Sequence, residues 1–168
     1  LLAAPSDGER GGRHWLDVAG DADSEGYNEK DTERKWAWRY RDYVVNAFND
    51  DMPWDQFIRE QVSGDEMLEP PYEDLKSEEI EKLVATGFLR MAPDGKGSGA
   101  NDELARHQED AETPKTVSSS LLGMSVGCAQ STHPWHDHNQ QRGHSSRATI
   151  IQPALTPTNR KHSSGTAD

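Results

Sequence analysis

The sequence predicts an all-α fold, an irregular bundle of about four to six helices with long loops and a poorly ordered C-terminal tail. Two observations carry this. Apolar residues recur with helical spacing through most of the first ninety positions. Composition also divides the chain: residues 1–112 carry 28 acidic and 13 basic side chains, whereas residues 113–168 carry 2 and 5. Eleven of the twelve aromatic residues lie at or before Phe88, and only Trp135 lies beyond. A length of 168 residues suits one domain and a tail. The expected division is a helical domain over 1–130 and a diverged or disordered tail over 131–168, rich in His, Ser and Pro.

The first predicted helix runs from Glu9 to Ala19 and buries Trp15, Leu16, Val18 and Ala19, with Gly11 and Gly12 weakening its start by roughly 1 kcal/mol each. Asp21 to Asp31 is polar and reads as a loop. The strongest periodicity spans Trp36 to Phe48, where Trp36, Tyr40, Val44, Ala47 and Phe48 form one stripe of a 3.6-residue repeat. Asn49, Asp50 and Asp51 stop that helix and offer a cap for the next, about Pro53 to Val62, with Pro53 at an early helical position. This third helix presents Trp54, Phe57, Ile58 and Val62. Gly64 to Ser77 is a connector containing Pro70 and Pro71. Ser77 then caps a helix whose acidic first turn suits the helix dipole, with Ile80, Leu83, Val84 and Phe88 on its buried face. Pro93 to Asn101, with three Gly, is a flexible linker. A weaker helix is expected over Asp102 to Ala111, then a small, apolar segment from Thr116 to Val126.

Composition excludes several classes. The net charge of −12 is wrong for a basic nucleic-acid binder, and one Cys cannot build a disulfide scaffold. No run of 18 apolar residues is present to span a bilayer. The N-terminal Leu-Leu-Ala-Ala-Pro is not a whole signal peptide, and a start without Met is expected of a piece of a longer chain. Leu, Ile, Val and Phe supply only 25 of 168 residues, so the core must draw on Trp and Tyr.

Chemistry-bearing residues gather late. Cys128, His133, His136, Asp137 and His138 fall within eleven residues, with His144 nearby. Thiolate and imidazole are good ligands for Zn, Cu or haem iron. His136 and His138 are two apart, which suits an extended segment rather than one helical face, and no second Cys completes a knuckle. The plain alternative is a solvated, His-rich tail, with Cys128 a small hydrophobe. The acidic run Asp21, Asp23, Glu25, Glu29, Asp31 lacks the glycine and glutamate register of a calcium loop. Gly95 to Gly99 lacks the strand and helix of a phosphate loop. Trp36, Trp38, Tyr40 and Tyr43 could stack on a ligand, although aromatics at helical spacing usually form a core. None of these is a catalytic constellation, and an enzyme is not expected.

Several segments together carry a resemblance: Gly8-Glu9-Arg10, Arg13-His14-Trp15-Leu16-Asp17-Val18-Ala19, Trp38-Arg39-Tyr40-Arg41-Asp42-Tyr43-Val44, Asp55-Gln56-Phe57, Glu60-Gln61, Gly64-Asp65, Ala85-Thr86-Gly87-Phe88, Leu122-Gly123 and Val126-Gly127-Cys128-Ala129-Gln130. Through about residue 130 the chain resembles the second conserved domain, formally of unknown function, of the planctomycete cytochrome-c-like proteins. The resemblance implies a piece of a large, exported, multidomain protein of the periplasm or cell surface. Its partners would be neighbouring domains of the parent chain and a redox partner. The family pattern next runs Cys-x-x-Cys-His-Asp-His, which implies covalent haem c, with Cys128 as a thioether position and His136 or His138 as axial ligand. This chain departs there. Ser131-Thr132, or Trp135-His136 if four residues are inserted, stand where Cys-His belongs. The implied function is a helical, redox or metal-binding domain, with haem, Zn or Cu, or no ion, at Cys128–His138. The alternative is a non-catalytic module that docks a partner through its acidic helical surface.

Overall fold

The computed structural model describes residue 4 and residues 6–26, 31–93 and 102–124, with the backbone alone over 102–110. The described residues form five α-helices and one 3-10 turn: α1 Asp7–Ala19, α2 Ala37–Asn49, α3 Trp54–Ser63, α4 Ser77–Ala85, the turn Thr86–Arg90, and α5 Asp102–Leu122. They contain no strand, only one isolated antiparallel bridge between Ser24 and Glu33. The all-α class therefore holds, and each helix before α5 begins within two residues of its expected start.

Packing of α1 on α2 organises the domain. The buried face of α1 is Gly8, Gly12, Trp15 and Ala19, successive positions on one side of the helix. A Cβ on Gly8 would collide with the Val45 carbonyl oxygen, and one on Gly12 would lie 3.2 Å from Val44 Cγ1. These glycines let two backbones meet closely, and the Gly8 amide donates to Asn49 Oδ1 at 2.8 Å. Val18 was expected inside but is 52% exposed, because it falls on the flank of the Trp15–Ala19 stripe. Gly20 ends α1 in the left-handed conformation (φ 78°), its amide returning to the Leu16 carbonyl at 3.0 Å.

The polar loop after α1 is held by side chains. Arg34 pairs with Glu25 at 3.0 Å and donates to the Ala92 carbonyl at 2.9 Å, tying the loop to the segment behind the 3-10 turn. Arg41 of α2 pairs with Asp23 at 2.8 Å.

On α2 the buried residues are Ala37, Tyr40, Tyr43, Val44 and Ala47. The expected stripe is corrected at both ends: Trp36 is 58% exposed and Phe48 36% exposed. Trp36 precedes the first helical residue, so its side chain does not follow the helical screw, and Tyr43 takes an inward position instead. On α3 the inward residues are Phe57, Glu60 and Gln61, while Ile58 is half-buried and Trp54 and Val62 lie outside. Pro53 occupies the capping position rather than the first turn, and no side chain caps α3.

Ser77 is the first residue of α4, not its cap. The cap residue is Lys76, whose amide donates to the Glu79 side chain at 2.8 Å. Ile80 points outward, Leu83 and Val84 are half-buried, and Ala85 and Phe88 fill the core. The two segments expected on either side of residue 112 are one 21-residue helix that runs through Pro114. Burial accounts for that continuity: Pro114, Thr113 and Ser118 are fully buried, and Val117 and Leu121 pack against the core. Thr113 donates to the Leu89 carbonyl at 3.5 Å, and Ser120 donates to the Val18 carbonyl at 3.0 Å.

Candidate functional site

Aromatic rings occupy the centre. Trp15 meets Phe57 edge-on at 5.1 Å and Phe88 at 5.5 Å, while Tyr43 and Phe57 stack with an interplanar angle of 6°. These are preferred ring geometries that strengthen packing beyond area alone. Tyr and Trp bring polar tips inward, and those tips need partners. The Trp15 indole N–H donates to the Tyr40 hydroxyl at 2.9 Å, which donates to Gln61 Oε1 at 2.8 Å. The Tyr43 hydroxyl donates to Glu60 Oε2 at 2.9 Å, and Gln56 donates to Glu60 Oε1 at 2.8 Å. Glu60 is 3% exposed and Gln61 fully buried. Two phenols thus anchor two adjacent polar residues of α3 inside the core.

Burial pushes the Tyr40 and Tyr43 phenols above the ordinary tyrosine range, and for Tyr43 the Glu60 carboxyl acts in the same direction. Asp21, at the end of α1, has one carboxyl oxygen buried without a hydrogen-bond partner among the described residues. Burial pushes its carboxyl up, against the lowering pull of Arg41. The Gln61 side-chain NH₂ is likewise unpartnered there.

Other aromatics face outward in two groups. At the head of α2, Trp36 and Trp38 lie with ring centroids 6.4 Å apart. The Arg39 guanidinium sits 4.6 Å from the Trp36 ring and 5.5 Å from the Trp38 ring. At the far end of α2, Phe48 and the α3 residue Trp54 both rest on Phe57, at 5.8 and 5.3 Å. Trp54 also meets Trp15 edge-on at 5.4 Å.

Cys128, His133, His136, Asp137 and His138 lie outside the described residues, as does the Gly95–Gly99 linker. Among the described residues no group of three or more His, Cys, Asp or Glu could hold a metal ion. Asp23 and Glu25 of the acidic loop serve as ion-pair partners of Arg41 and Arg34. A depression is lined by Tyr72, Glu73, Asp74, Leu75 and Ile80. Sequence reasoning had Gly8 and Glu60-Gln61 only as segments of the resemblance and missed their places in the packed interior. The available signal was Glu60-Gln61 standing three and four residues after Phe57, which puts two polar residues on Phe57's own helical face.

Fold and interior define the class: an all-α domain whose core is built from aromatic rings and buried polar pairs. The chain belongs to the PSCyt2 family, described as protein of unknown function (DUF1549), which matches residues 1–153. No curated protein matches the chain. No solved structure matches it either. No described helix is long and apolar enough to cross a membrane.

Proposed function

We propose that this chain is a non-catalytic helical module of an exported, cytochrome-like multidomain protein, acting in the periplasm or at the cell surface. It docks a neighbouring domain of its own parent chain on the face formed by Trp54 and Phe48. One observation carries the reading: Trp54 and Phe48 are 54% and 36% exposed although both rest on the buried ring of Phe57. Apolar rings already backed by a rigid core, with Asp50, Asp51 and Asp55 beside them in sequence, have the apolar centre and polar rim of an interface. The test adds the adjoining domains of the parent polypeptide, expressed separately, to this chain and follows association by calorimetry. Saturable binding that falls about tenfold or more in Trp54→Ala supports docking. Undiminished binding by that variant contradicts it.

A second reading rests on the clustering of Cys128, His133, His136, Asp137 and His138 in the sequence. One thiol cannot form the two thioethers of a c-type haem attachment, so that donor set does not fit covalent haem of that kind. Thiolate, imidazoles and a carboxylate suit Zn or Cu, and an ion held there would serve a redox or structural role. Metal titration of the chain against a Cys128→Ala, His136→Ala, His138→Ala triple variant decides it. Equal affinities would remove this reading.

A further inference from the structure

The exposed pair at the head of α2 differs from the docking face. Along the helix, Trp36 and Phe48 are about 18 Å apart at 1.5 Å per residue. Trp36 is 58% and Trp38 47% exposed, and their rings are inclined by 49°. Solitary exposed apolar residues are ordinary, but two adjacent tryptophans with a guanidinium over both form a built surface. Among the described residues no carboxylate pairs with Arg39. In sequence Lys35 directly precedes Trp36, with Glu33 two residues further back. The first turns of α1, α3 and α4 all carry acidic residues, whereas that of α2 carries none and no side chain caps it. In a chain of net charge −12 this is a locally cationic, aromatic spot. The nearest acidic neighbour on the helix is Asp42, one turn further on.

We propose that Trp36, Trp38 and Arg39 form a binding platform for a carboxylate-bearing oligosaccharide. Indole faces stack on the flat C–H faces of pyranose rings, and two inclined rings can receive two successive sugars. The guanidinium fork offers paired N–H donors to a uronate carboxylate, a charge-assisted geometry stronger than a neutral hydrogen bond. Stacking on the tryptophans pre-orients that fork, which lowers the ordering cost of binding. Two other ligand classes fit less well. A nucleic acid needs a basic stripe along the surface, which a single guanidinium beside two indoles does not supply. Acidic peptide motifs are recognised by clusters of arginines, whereas a single guanidinium lies over these rings.

Titrating the 168-residue chain with trigalacturonic acid, by tryptophan fluorescence and calorimetry, tests the proposal. Saturable binding is expected, weakened about tenfold or more in a Trp36→Ala, Trp38→Ala variant and unchanged in Met67→Ala, at an exposed position away from the rings in sequence. The neutral trimethyl ester should bind several-fold more weakly, and Arg39→Gln should abolish that preference for the acid. Arg39→Gln leaves both rings in place, so it keeps the test readable if the double variant unfolds. Absence of saturable binding, undiminished affinity in the double variant, or no difference between acid and ester would overturn the proposal. Equal, tryptophan-dependent binding of a glutamate-rich peptide would overturn it in favour of an acidic protein partner.

Discussion

Inward and outward aromatics of α2 lie within a few residues of one another and behave as two different materials. Tyr40 and Tyr43 are 2% and 4% exposed, and their hydroxyls are fixed by Gln61 and Glu60. Trp36 and Trp38, a turn earlier, have about half their surface in solvent and lie against each other and Arg39. The helical screw separates Trp38 from the tyrosines, because 40, 43, 44 and 47 share the side that meets α1 and α3, whereas Trp36 stands ahead of the first helical residue. The comparison teaches that ring content alone does not measure the core of this domain. The inner rings compensate for its few aliphatic residues, and the outer rings are surplus to the fold and available for recognition.

Breaking the inner set gives the largest effect. Phe57→Ala removes the ring on which Trp15, Tyr43, Phe48 and Trp54 converge and is expected to cost about 3–5 kcal/mol in denaturant unfolding. Tyr43→Phe keeps the ring but deprives the buried Glu60 carboxyl of a donor, for an expected loss of about 1–3 kcal/mol by the same measurement.

Alkaline titration sharpens the comparison without mutation. The folded phenols of Tyr40 and Tyr43 ionise later than those of the unfolded chain, so between the two ranges the unfolded state binds fewer protons. Stability should therefore fall as pH rises above about 10, and phenolate absorbance from these two residues should appear together with unfolding. Ionisation of all four tyrosines in the ordinary tyrosine range, about pH 10, while the protein stays folded would contradict the burial of Tyr40 and Tyr43.

Asp21 is shifted in the same direction by burial, in the acidic range and with a smaller effect. Its raised folded pKa means that the native state binds more protons than the unfolded state between the ordinary and the raised value, so this group lowers stability as pH rises through that window. Asp21→Asn is expected to raise the melting temperature at pH 7, with the gain shrinking at acidic pH where both states are protonated. A loss at pH 7 would show that attraction to Arg41 outweighs burial.

Much of the fold was legible because its signals are local. Helical spacing located α1 to α4, and Asn49-Asp50-Asp51 marked the end of α2. Facing was less legible. Trp54, Val62 and Ile80 fit an apolar stripe by type, but which side of a short helix turns inward is set by tertiary partners absent from a local window. Pro114 illustrates the same limit: its missing N–H argues for a break, and the burial of Thr113, Pro114 and Ser118 overrides it. Gly12 reads as a helix weakener, and Gly8 stands ahead of the expected first helix, until Val44 and Val45 are found against them. Of the site residues, the Cys128–His138 cluster was legible by residue type and lies outside the described residues. The aromatic series on α2 was visible in the sequence, but its division into core and surface depends on packing.

The central claim, that the outer rings are surplus to the fold, is tested most directly by denaturant unfolding of the Trp36→Ala, Trp38→Ala double variant beside the parent chain. The expected loss is under about 1 kcal/mol, the scale of an exposed cation–π contact. A loss of about 3 kcal/mol or more, the scale of a core ring, would contradict the claim and make these tryptophans part of the structure they are argued to stand outside.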